Sequence, residues 1–133
     1  MPFKLRNKNA AFFDRQNLSM KEYISLKKTE DFGRAYRQGK SYGNKLLVIY
    51  YFERGQNPEV RVGISVSKKV GNSVERHKIK RQLKECFRTR LDWWKDGIDV
   101  VVVARREIKD KDYNKILEAL VSAGIHLGIC DPR

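Results

Sequence analysis

Apolar residues recur along this chain in two rhythms, short strand-like runs and sets spaced three and four apart. Leu46 to Phe52 and Arg61 to Val66 read as strands, and Lys40 to Tyr42 as a shorter one. Gly55, Gln56, Asn57 and Pro58 supply loop residues between the two longer runs, which predicts a hairpin. A further strand covers Asp99 to Val103, and its unbroken Val100 to Val103 run predicts burial on both faces.

The helices are marked by their ends. Thr29 offers an N-cap, Glu30 and Asp31 suit the positive end of the helix dipole, and Gly39 closes a first helix after Gln38. Gly71, Asn72 and Ser73 break the chain and cap a second helix running to about Asp92. Asp110 and Asp112 open a third, with Ile116, Leu117, Leu120 and Val121 at helical spacing and Gly124 near its end. At least one of Trp93 and Trp94 should pack under the sheet, because indoles bury large areas. The order helix, two or three strands, helix, strand, helix describes an α/β sandwich on a small sheet. Residues 1–26 lack sustained periodicity, carry a net +3 and read as a flexible basic arm, leaving 27–133 as a single α/β domain.

Charge sharpens this picture. At 100° per residue, Ile79, Leu83, Cys86 and Phe87 fall on one side of the second helix, while His77, Arg81, Lys84 and Arg88 share a wedge of about 60° roughly opposite. From residue 68 to 90 there are nine Lys or Arg and two acids, a net +7 out of the chain's formal +13. A solvated face normally interleaves acids with bases, whereas Glu75 and Glu85 lie off this wedge, and Lys68 and Lys69 extend the patch. A pI near 9.9 with charge so concentrated predicts a polyanionic partner, nucleic acid first, though the stripe cannot separate RNA from DNA. Phe32 and Tyr36 lie four apart on the first helix with Tyr50 on the neighbouring strand. Such rings either stack on unpaired bases or fill the core, and the sequence leaves both open.

Other chemistries find little support. The long apolar runs, Leu46 to Phe52 and Ile98 to Ala104, are strand-sized and far short of a membrane span. The first residues lack the apolar core of a secretory signal, so a cytoplasmic setting without membrane contact is expected. Cys86 and Cys130 have no CxxC spacing. His77 and His126 do not form a metal-binding pair, and the acids at 110 and 112, like Glu30 and Asp31, are explained as helix-start residues. No catalytic residue is expected in the protein.

The segment RVGISVSKKVGNSVERHKIKRQLKECFR closely resembles the signature of the bacterial ribonuclease P protein subunit. The likeness continues through TEDFGRAYRQGKS, GNKLLVIYYF and DVVVVAR, leaving mainly residues 1–26 and the C-terminal tip outside it. It implies helix, three strands, helix, strand and helix on a small mixed sheet, like the second domain of a small-subunit ribosomal protein, with a left-handed strand-helix-strand crossover that departs from the usual rule. It also implies an accessory role, in which a catalytic RNA uses Mg²⁺ to remove the 5′ leader of precursor tRNA. It further implies that the protein, monomeric alone and 1:1 with that RNA, binds both catalytic RNA and leader. Carried over by position, Phe32, Tyr36, Tyr50 and Lys80 would line a leader cleft. Arg76, Lys78, Arg81 and Lys84 would face the RNA partner or cleft rim, with Lys68, Lys69, His77 and Arg88 in the same basic surface. Protein-bound metal sites are left open.

One departure is local: Arg76-His77-Lys78 stands where the family usually has Arg-Asn-Arg, so a planar guanidinium fork is lost at Lys78 while its charge is kept. Two other readings are a general RNA-binding or ribosomal-type module and an autonomous metal-dependent nuclease.

Overall fold

A computed structural model describes residues 23–55 and 57–132. The elements are β1 (Ile24–Ser25), α1 (Thr29–Gln38), β2 (Lys40–Gly43), β3 (Leu47–Glu53), β4 (Arg61–Ser65), α2 (Ser73–Thr89), β5 (Ile98–Ala104) and α3 (Tyr113–Leu127). Two short 3₁₀ turns, Leu91–Trp93 and Arg106–Ile108, flank β5. The expected α/β sandwich on a small mixed sheet is what forms.

The five strands lie in the order β1-β4-β5-β3-β2. β5 is central, as its valine run requires, and six of its seven residues are buried. It runs antiparallel to β3, from Leu47 opposite Ala104 to Glu53 opposite Ile98, and parallel to β4, from Arg61 opposite Asp99 to Ser65 opposite Val103. The hairpin expected between β3 and β4 does not occur, because β5 inserts between them. A loop of suitable composition permits a hairpin, but a strand apolar on both faces gains more by taking the centre of the sheet.

Alternation along β3 and β5 sorts the core into two. Leu47, Ile49, Tyr51, Val62, Val100 and Val102 pack with α2 (Ile79, Leu83, Cys86, Phe87), α3 (Ile116, Leu120, Ala123) and Trp94. On the opposite face Val101 packs with Leu26 and Ala35, rimmed by Phe32, Tyr50, Phe52 and Val103 under α1. Trp94 is the buried indole; Trp93 is half-buried beneath the Arg90 guanidinium at 5.3 Å.

The element ends refine the sequence reading. Asn72 and Glu75 form a reciprocal capping box at α2, each side chain accepting from the other's backbone N–H at 2.8 Å. That helix stops at Thr89 and gives way to a 3₁₀ turn rather than continuing to Asp92. Thr29 is the first residue of α1 and not its cap; Lys28 holds that place without a side-chain bond. Asp112 does cap α3, accepting from the Lys115 N–H at 2.9 Å, while Asp110 stands outside the helix. Gly124 is interior to α3, where a Cβ would lie 2.7 Å from Cys130 and 2.8 Å from the Trp94 ring, and the left-handed residue that ends the helix is Gly128, φ 77°.

β1 falls in the segment read as an arm. Ile24 and Leu26 donate to Val60 and Val62 at 3.1 and 2.8 Å, Leu26 is buried, and Tyr23 meets Phe87 edge-on at 6.1 Å. Residues 1–22 of that segment lie outside the described residues.

Candidate nucleic-acid interface

α2 is fixed against the core by Ile79, Leu83, Cys86 and Phe87, and this anchors the opposite face towards solvent. His77, Lys78, Arg81, Lys84 and Arg88 are all exposed, as are Lys68 and Lys69 in the turn between β4 and α2. Arg76 is half-buried and donates through Nε to the Gly71 carbonyl at 3.2 Å. At the C-terminal end the stripe is less free of acid than its spacing implied. Arg88 forms a two-pronged pair with Glu85, 3.0 Å from Nε and 2.6 Å from Nη2, and the guanidinium holds the Glu85 carboxyl below its ordinary range. Glu75 pairs with Lys109 at 3.3 Å. Among the described residues, the part of the stripe without an acidic partner is therefore its N-terminal and middle turns.

One of those turns opens onto a cleft of about 250 Å³ beside β4, lined by Lys80 and Lys84 of α2, Phe32 of α1, Tyr23, Leu26, Lys27, Val62 and Ile64. Phe32 lies directly over the β4 backbone. A Cβ on Gly63 would come within 2.5 Å of its ring, so glycine is what allows the aromatic to sit there. The ring both packs and faces the cleft, which the sequence had left as alternatives. Phe32 continues into an aromatic row: Tyr36 follows at 6.5 Å, and Tyr50 stands edge-on to Tyr36 at 4.9 Å. Tyr36 is exposed; burial of its hydroxyl and the neighbouring Tyr50 push its pKa up against a hydrogen bond with Ser65, so it stays protonated at neutral pH. Phe32, Lys80 and Lys84 thus meet at one cleft, whereas Tyr36 and Tyr50 do not line it and are joined to it only through the row of ring contacts from Phe32.

A buried ion network sets the position of α1. Asp99, fully buried at the start of β5, accepts from Arg54 Nη1 at 2.6 Å and from Arg61 Nε and Nη2, both at 2.7 Å. Arg61 also reaches Asp31 of α1 at 3.5 Å, and Asp31 pairs with Arg34 at 3.2 Å. Burial drives the Asp99 pKa upward, but the bonds from Arg61 and Arg54 outweigh it and hold the carboxyl below its ordinary range. Asp31 thus ties α1 to β4 and, through Arg61, to β5, next to the Phe32 it helps to place. Sequence reading treated Asp31 as a helix-dipole acid and Asp99 as a strand start. The available signal was an acid at the edge of an all-valine buried run, which needs a cationic partner. Tyr23, Lys27 and Ile64 of the cleft were also unforeseen.

Among the described residues no three His, Cys, Asp or Glu stand together to hold a metal, and no helix is long and apolar enough to cross a membrane. Burial pushes the Cys86 and Cys130 thiols up to about 11 and about 12.

These features define a small basic α/β protein that presents one cationic helix face and one aromatic cleft. The family model described as Ribonuclease P matches residues 20–127. The chain is 49% identical over 98 residues to the ribonuclease P protein component of Clostridium novyi (strain NT), covering 73% of this chain and 87% of the relative. It is 48% identical over 106 residues to that of Clostridium botulinum (strain 657 / Type Ba4), covering 76% and 95%. Among solved structures, the Staphylococcus aureus RNase P protein superimposes with a TM-score of 0.76 at 34% identity, covering 83% of this chain and 100% of that one. The Thermotoga maritima protein gives 0.68 at 29% identity, covering 77% and 94%. The chain belongs to the ribonuclease P protein family, and membership makes it a protein subunit of an endoribonuclease.

Proposed function

We propose that this subunit binds the catalytic RNA of ribonuclease P and the single-stranded 5′ leader of precursor tRNA, assisting RNA-catalysed removal of the leader in the cytoplasm. The convergence of Phe32, Lys80 and Lys84 on one cleft carries this reading, because a ring for base stacking beside two cations for phosphates is what an unpaired strand requires. The exposed stripe outside the cleft, Lys68, Lys69, Lys78 and Arg81, then serves the structured RNA partner, and Mg²⁺ enters with that RNA. The protein acts as a monomer, one per RNA. His77 and Lys78 keep this surface polar and basic where the family pattern has Asn and Arg, with phosphate contact at Lys78 through a point charge instead of a fork.

The test is cleavage of precursor tRNA at low Mg²⁺ by protein alone, a bacterial ribonuclease P RNA alone, and both together. Cleavage restored only by the combination is the expected result. Tight RNA binding without stimulation would reduce the protein to a general RNA-binding module, and cutting by pure protein would place a catalytic site in this chain.

A further inference from the structure

β4 has an edge that its neighbour does not finish covering. β1 pairs with it only through Ile24 and Ser25, opposite Arg61 and Val62, and the last bond between them runs from the Leu26 N–H to the Val62 carbonyl at 2.8 Å. The chain then turns away to begin α1 at Thr29. Along a strand, the N–H and C=O of alternate residues point to the same neighbour. Since the Val62 carbonyl faces β1, both backbone groups of Ile64 face that way too, away from β5. The next rung of the ladder, from the Ile64 N–H to the Leu26 carbonyl, is absent, and no other bond among the described residues reaches these two groups. They open onto the cleft that Phe32, Lys27, Lys80 and Lys84 line.

We propose that the Ile64 backbone N–H and C=O read the edge of one unpaired nucleobase, held in the cleft with its face towards Phe32 and its phosphates on Lys80 and Lys84. This rests on the reading of the cleft as a single-strand RNA site and adds a base-recognising element to it. An open strand edge is a template for hydrogen bonding, and a peptide strand is its commonest occupant. Here the surroundings select otherwise. Lys27, Lys80 and Lys84 form no ion pair among the described residues, so the occupant is anionic at closely spaced points. A cleft of about 250 Å³ falls below the roughly 300–1,000 Å³ of drug-sized sites, which suits a single base. One donor beside one acceptor complements the edge of a splayed-out base, whose Watson–Crick side also presents both, as does the Hoogsteen side of adenine. Phe32 and the lysines supply affinity without distinguishing bases; the Ile64 pair adds a fixed direction that a base must match.

Amide hydrogen exchange of Ile64 reads this directly. The full chain, labelled with ¹⁵N, is saturated in turn with a five-nucleotide single-stranded RNA and with the same backbone lacking bases, with the β5-facing Gly63 and Ser65 amides as internal references. The expected result is at least tenfold slower Ile64 exchange with the base-bearing strand and no slowing with the abasic one. Binding of the RNA with Ile64 still in fast exchange, or equal protection by the abasic strand, overturns base reading while leaving the RNA site intact. Failure to bind either strand overturns the RNA site as well. Protection by an extended acidic peptide but not by RNA would assign the edge to a protein strand and overturn the proposal. As a second measurement, Ile64→Pro removes the outward N–H at an edge position, where proline is tolerated. It should weaken the base-bearing strand about tenfold and leave abasic affinity unchanged, and equal loss for both overturns the assignment.

Discussion

Asp99 shows what a single residue contributes. It is the one fully buried acid on β5, and three guanidinium nitrogens converge on its two oxygens at 2.6 to 2.7 Å. Replacing it by Asn keeps the shape and removes the charge, leaving Arg54 beside Arg61 with only the more distant Asp31, 3.5 Å from Arg61, as a carboxylate partner. Breaking a buried pair in this way costs about 3–5 kcal/mol, so Asp99→Asn should lower the urea midpoint at pH 7 substantially. The pH dependence has a definite sign. The folded carboxyl titrates below its ordinary value, so its stabilisation is complete above the unfolded pKa of about 3.9 and is lost as pH falls through the lower folded value. Wild-type stability should therefore drop below about pH 4 more steeply than that of the Asn variant. Parallel acid limbs in urea titrations of the two proteins would show that Asp99 does not carry this dependence. None of the pairing was legible in the sequence. Arg54 follows β3, Arg61 lies on β4 and Asp99 on β5, and only the insertion of β5 between β3 and β4 brings them together.

At the scale of the element, α2 was the most legible part of the chain. Its buried face and cationic face both follow from spacing within one helix, and its cap was legible at Gly71 to Ser73, where the structure adds Glu75 as the partner of Asn72. Local rules fix such features because the interacting residues are neighbours along the chain. The strands were legible as strands but not in their pairing, which depends on residues far apart, so the expected hairpin gave way to β5. β1 escaped notice because two residues carry no period at all. The same locality gives α2 a clean test. Lys80 lines the cleft and Arg81 faces solvent on the stripe, so the two substitutions to Ala should each weaken RNA binding but separate by ligand. Each lost phosphate contact with single-stranded RNA should flatten the slope of log affinity against log salt by about 0.7. Lys80→Ala should show this with a leader oligonucleotide, and Arg81→Ala mainly with the catalytic RNA. Unchanged slopes with both ligands would remove the residue concerned from the interface.

For the molecule as a whole, the question is whether the cationic surface and the cleft share one rigid support. Trp94 is the centre of that support: its ring lies 4.9 Å from Phe87 of α2, it bridges to Cys130 beyond α3, and Gly124 of α3 is held against it. α2 and α3 are thus joined through one indole, and each side of the joint carries a thiol, Cys86 and Cys130, 1% and 5% exposed. Burial raises the Cys86 thiol to about 11, so at pH 8 only about one molecule in a thousand is ionised there, and Cys130 at about 12 is less ionised still. Neither thiol should react with an aromatic disulfide reagent in native buffer. If the fold is a single cooperative unit, both should become reactive at one urea concentration, the same at which tryptophan fluorescence changes. Labelling of Cys130 at lower urea than Cys86 would instead mean that the segment after α3 opens on its own while α2 stays docked. The cationic helix α2 would then keep its support when the C-terminal segment is lost, and coincident transitions would tie the two surfaces to one folding event.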